Sequence, residues 1–162
     1  MRRERWLPAT AASAGAARSI VCDAASEAGL EAEPTWDLML ATTEAVTNAV
    51  QHGKAWPNGC ILFATRRCPR GLHVEVCDLG TFDSTLEPAP VDATSGRGMQ
   101  IIAALVDRLE VRNGDGRTRV CFEKHRLLAS ALCNGGGEQD ACAMNVNGAA
   151  ASDHAIRKVS ML

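Results

Sequence analysis

Residues 34–53 carry two patterns on one helical period, and few folds accommodate both. Trp36, Met39, Leu40, Val46 and Val50 recur at helical spacing and predict an apolar face turned to a core. Glu44, Asn48 and His52 recur every four residues, which sets a carboxylate, an amide and an imidazole in line along a second face. Pro34 suits the opening of this helix and Gly53 its end. An amide oxygen is a hard, neutral ligand for Mg²⁺, an ion that leaves much of its coordination to phosphates and water. A carboxylate one turn away is placed to take a proton from an attacking hydroxyl or water. Such a line on its own is more often a solvated helix face, so its meaning depends on what else converges on it.

The flanking pattern predicts a small domain of helices and hairpins. Residues 13–30 read as a helix with Ala16, Ile20, Ala24 and Ala28 as its apolar stripe and Gly29 at its end. Residues 60–66 and 72–77 read as strands joined through Pro69 and Gly71. The second strand runs into Asp78-Leu79-Gly80-Thr81-Phe82, and a long polar loop over 83–95 has the character of a lid. Gly96-Arg97-Gly98 opens a third helix over 97–107, with Met99, Ile102, Ala103 and Val106 along one side. Strands at 109–112 and 118–123 flank Asn113-Gly114-Asp115-Gly116, a strong hairpin signal. The expected organisation is a flexible N-terminus or edge strand over 1–12, a folded domain over 13–124 and a flexible tail over 125–162.

Two further segments can meet a nucleotide. Asp78 at a strand end can accept an exocyclic amino hydrogen of adenine, and Gly80 lets the base approach the backbone. Gly96-Arg97-Gly98 turns backbone N–H groups and a helix N-terminus toward an anion, and Arg97 adds charge-assisted hydrogen bonds. No Gly-Lys-Ser/Thr follows, so this is not a Walker A loop, and the dinucleotide fingerprint is absent too. Individually these are an ordinary Asp-Gly turn and a glycine hinge.

Their order and spacing carry more. Glu44-x-x-x-Asn48-Ala49-x-x-His52-Gly53, Asp78-x-Gly80 and Gly96-Arg97-Gly98-Met99-x-Ile101-Ile102 through Asp107 resemble the N, G1 and G2 boxes of the GHKL ATPases over residues 10–124. The Asn-Ala-x-x-His-Gly ending and the 116–123 strand are similar to those of the anti-sigma factor serine/threonine kinases. The resemblance implies an α/β (α+β) two-layer sandwich of the Bergerat type, with a mixed, mostly antiparallel sheet and helices on one face. It implies Glu44 as general base or orienter, Asn48 as the Mg²⁺ ligand, and Asp78 and Gly80 at adenine. Gly96, Arg97 and Gly98 fall at the phosphates and Thr118 near the base, while His52 is read as structural. The implied activity is ATP-dependent protein kinase action by an anti-sigma factor. Its partners are a sigma factor and a STAS-domain antagonist, and a homodimer is compatible with the family. Where the G1 box often has a second glycine, this chain has Thr81. That departure keeps a second reading open, a nucleotide-gated binding module with little or no catalysis. Arg18 and the polar face around it are read either as solvated surface or as a place for a partner.

Composition narrows the classes further. A length of 162 residues suits one domain, and it leaves no room for the added domains of gyrase or Hsp90 relatives or for a dimerising hairpin bearing a phosphoacceptor His. Net charge is −2, which argues against nucleic acid or an anionic membrane as the main partner. No run reaches the roughly 20 apolar residues of a membrane span, and no signal peptide is evident, so a cytoplasmic protein is expected. The seven cysteines form no CxxC pair and predict reduced thiols rather than a metal site.

Overall fold

The computed structural model describes residues 2–81 and 97–127. The expected lid over 83–95, Gly96, and the tail beyond Leu127 lie outside the described residues. Strand β1 (Arg2–Pro8) leads into α1 (Ala12–Ala28) and α2 (Ala32–Gln51). Strands β2 (Cys60–Cys68) and β3 (Gly71–Asp78) follow. Then come α3 (Gly98–Leu105), β4 (Arg108–Gly114) and β5 (Arg117–His125).

The strands form one sheet in the order β1-β2-β3-β5-β4, antiparallel at every pairing. The β4–β5 register pairs Gly114 with Arg117, which leaves the two-residue loop Asp115-Gly116. Both have positive φ, +54° and +67°, as a type I′ turn requires. Period-2 alternation divides the faces of β3. Leu72, Val74 and Val76 are buried with Phe63 and Ile61 of β2 and Phe122 of β5. His73, Glu75 and Cys77 lie on the opposite face. Helices α1 and α2 pack on each other and on the central strands, and α3 packs on α2.

Two apolar stripes run differently from the sequence expectation. In α2 the buried line is Pro34, Leu38, Ala41, Thr42, Ala45, Val46 and Ala49, whereas Trp36 is 68% and Leu40 47% exposed. In α1 the buried line is Ser13, Ala14, Ala17, Val21, Ala24, Ala25 and Ala28, and Ala16 is exposed. The reason is common to both. The two helices approach through alanines, and size-weighted reading of a helical wheel favours Trp and Leu over the small residues that close packing selects. In α3 only Ile102 is fully buried, while Ala103 is exposed.

A single lysine fastens the end of α3. Lys124 of β5 donates from Nζ to the Leu105 carbonyl at 2.7 Å and pairs with Asp37 of α2 at 2.6 Å. The α3 C-terminus is thereby tied to both layers, while its N-terminus emerges beside α2.

Candidate functional site

Asp78 ends β3 at 5% exposure, one of few buried carboxyls in the described chain. Its Oδ1 accepts from the Gly80 backbone N–H at 2.6 Å and the Lys54 N–H at 3.3 Å. The second oxygen takes no hydrogen bond from another described residue, so it is left to accept from a ligand. Burial raises the carboxyl pKa, and the two backbone donors oppose that shift by favouring the charged form.

The segment after α2 shapes this pocket. Leu79 N–H donates to the Lys54 carbonyl at 2.7 Å, so Lys54 and the 78–80 turn are stitched together in both directions. A Cβ on Gly53 would lie 2.6 Å from the Asp78 carboxyl carbon, and one on Gly80 would lie 2.7 Å from its Oδ1. Both positions are closed to any side chain, so Gly53 does more than end a helix. Lys54 was missed in the sequence because a backbone contact leaves no mark on residue type.

Thr118 is the register partner of Asp78 and is itself buried. Its Oγ1 sits 3.0 Å from the Gly80 carbonyl and 3.0 Å from Asn113 Oδ1. One hydroxyl proton serves one of these acceptors; with the Asn113 amide turned over, its N–H donates to Oγ1 and both contacts are satisfied. Thr118 therefore positions Gly80 from the neighbouring strand β5. Asn113, read from the sequence only as a turn residue, belongs to the same group.

The helix line meets the third segment. Glu44 and Asn48 are half-buried on α2, and neither side chain bonds another described residue. A Cβ on Gly98 would lie 2.7 Å from Asn48 Nδ2 and 3.0 Å from its Oδ1, so the start of α3 is seated directly on that amide. Arg97, at the N-cap of α3, is exposed. His52 caps α2 through its backbone N–H, 2.8 Å from the Asn48 carbonyl, and its imidazole is exposed. The structure thus brings Asn48 to Gly98, and Asp78 to Gly80, Gly53 and Thr118. Gly53 links the groups, since its N–H donates to the Asn48 carbonyl at 3.2 Å.

A buried carboxyl beside bare backbone, with an amide and a helix start nearby, can meet the polar edge of a ligand. Comparison with known proteins gives the family. The histidine kinase-like ATPase domain model matches residues 7–124. The anti-sigma F factor of Clostridium acetobutylicum is 30% identical over 121 residues, covering 69% of this chain and 85% of that protein. The chain belongs to the GHKL anti-sigma factor kinase family. The crystal structure of the RsbU and RsbW domains of Rv1364c from Mycobacterium tuberculosis shares the fold, with a TM-score of 0.57 and 22% identity. That match covers 77% of this chain and 32% of the other, so this chain spans about a third of that structure. GHKL membership implies a nucleotide site. Among the described residues, no helix is long and apolar enough to cross a membrane.

Proposed function

We propose that this chain is an ATP-dependent protein serine/threonine kinase acting as an anti-sigma factor from the cytoplasm, its catalytic unit spanning residues 13–124. It binds a sigma factor and phosphorylates a STAS-domain antagonist of that binding. The observation that carries the reading is the cluster around Asp78, where a buried carboxyl keeps one oxygen free between glycines that a Cβ would fill. Similarity to the anti-sigma F factor of C. acetobutylicum supports a sigma factor as partner.

The residues fit ATP and Mg²⁺ in kind. Asp78 accepts from the adenine amino group, with Gly80 held open by Thr118. Gly96, Arg97 and Gly98 meet the phosphates through backbone N–H groups and a guanidinium. Asn48 offers a neutral amide oxygen to Mg²⁺, which when bound neutralises phosphate charge. Glu44, one turn earlier, takes the proton of the partner's hydroxyl as that oxygen bonds to the γ-phosphorus and ADP departs. Arg18 is half-buried and donates to Thr43 Oγ1 at 3.2 Å, next to Glu44, so a partner contact there would adjoin the reacting residue.

The test pairs calorimetric titration of Mg-ATP with phosphoryl transfer to the cognate STAS-domain protein. Wild type should bind and transfer, Asn48→Ala should lose binding, and Glu44→Gln should bind yet lose transfer by at least about 100-fold. Nucleotide binding without any transfer would overturn the kinase reading. The nucleotide-gated binding module would then lead, and Thr81 favours it. That side chain stands exposed directly after Gly80, where relatives often have glycine.

A further inference from the structure

The face of the sheet turned away from the helices carries a group of side chains that the nucleotide site does not use. His73 and Glu75 of β3 are two residues apart, so both project from this face. Cys121 of β5 is the register partner of Glu75, and Glu123 is the partner of His73. The donor atoms of His73, Glu75 and Cys121 all lie within 4.8 Å of one another. Glu75 and Cys121 are buried and His73 half-buried, and among the described residues this is the one such group of three.

From this geometry we propose a transition-metal site, of the kind that takes Zn²⁺, formed by His73, Glu75 and Cys121. An imidazole nitrogen, a carboxylate oxygen and a thiolate are the donors of a tetrahedral zinc centre with one position left over. The second observation lies behind the ligands. His73 Nδ1 is 3.1 Å from Glu123 Oε1, a carboxylate–imidazole pairing that fixes the ring; with the proton on Nδ1, Nε2 keeps a lone pair for a metal. Glu75 is likewise oriented, with Oε2 accepting from Arg2 Nη2 at 3.1 Å and Oε1 facing Arg119 Nε at 3.8 Å. Beside His73 and Cys121 the face opens into a cavity of about 120 Å³, which leaves room for a water as the fourth ligand.

Charge decides which cation is accepted. Arg66, Arg108 and Arg112 border the cavity, with Arg2 and Arg119 near Glu75, and Glu110 and Glu123 answer only part of that charge. A hard ion held mainly by charge, such as Mg²⁺, is disfavoured there. For a metal held by imidazole and thiolate, the covalent character of those bonds offsets the same repulsion.

Reduced, metal-free protein titrated with Co²⁺ tests the site without nucleotide. One equivalent should bind with tetrahedral visible bands and a sulfur-to-metal charge-transfer band, and Zn²⁺ should displace it. Cys121→Ser should remove the charge-transfer band and His73→Gln should weaken binding at least tenfold, whereas Cys22→Ser, at an exposed position of α1, should change neither. Glu123→Gln should weaken binding about 10–100-fold. Circular dichroism confirms that each variant is folded, and His73→Gln at a half-buried position serves if Cys121→Ser is not. A charge-transfer band that survives in folded Cys121→Ser, Co²⁺ affinity unaltered in folded His73→Gln, or no stoichiometric binding, would overturn the proposal.

Discussion

Asp78 shows how a side chain proposed to bind a ligand can be costly to the fold. Its pKa is raised by burial, so the folded protein holds this proton more tightly than the unfolded chain does. The group therefore favours folding below the ordinary value of 3.8, and that contribution is lost as pH rises through the raised folded value. At neutral pH a buried charge remains. Asp78→Asn should keep or raise the melting temperature at neutral pH, because the amide oxygen still accepts from Gly80 and Lys54. Its new N–H₂ would face the adenine amino group, donor to donor, and ATP affinity should fall at least about tenfold, or 1.4 kcal/mol. For the same reason wild-type ATP affinity should weaken as pH falls toward 3.8, beginning above it, which calorimetry across a pH series would show. Thr118→Val keeps shape but removes the donor to Gly80, so a loss of about 1–3 kcal/mol in denaturant unfolding is expected, with weaker nucleotide binding beside it.

Among the elements, α3 is held unequally at its two ends. Its C-terminus is fastened by Lys124 to Leu105 and Asp37, and its N-terminus rests on Asn48 through the bare Cα of Gly98. Lys124→Met should destabilise by about 1.5–3 kcal/mol in a urea titration, since it strips a charged donor from the helix end. Gly98→Ala has a different signature. The added methyl meets the Asn48 amide, so ATP affinity should drop at least about tenfold in calorimetry while the sheet and its melting transition are largely kept. The elements themselves were legible, because hairpin signals such as Asn113 to Gly116 and glycine stops such as Gly29 act within a few residues. Which face each helix buries was read less well. Trp36 and Leu40 suggested a core-facing stripe that small alanines in fact supply.

At the scale of the whole molecule, the sheet divides two chemistries. One face carries the helices, the apolar core and, at the end of β3, the cluster around Asp78 proposed to hold nucleotide. The other carries rows of charge, with His73, Glu75 and Cys121 among them. Stability resides in the first face: Phe63→Ala, at a fully buried ring, should cost about 3–5 kcal/mol in thermal or urea unfolding. Trp36→Ser, on the outer side of α2, should change stability by no more than about 0.5 kcal/mol and leave ATP binding intact.

The sequence by itself determined what local rules and motif order can encode. These are the positions of the helices and hairpins, the family, and the residues Glu44, Asn48, Asp78, Gly80, Arg97, Gly98 and Thr118 as the group to examine. Tertiary structure alone decided which of them touch and what supports them. Lys54 reaches Asp78 through its backbone, and Thr118 reaches Gly80 across the strand register although the two are 38 residues apart in chain order. The same register places Cys121 opposite Glu75, although the cysteine spacing argued against a metal. Backbone donors carry no residue signature and cross-strand partners no fixed spacing, so both come into view only when the sheet is assembled.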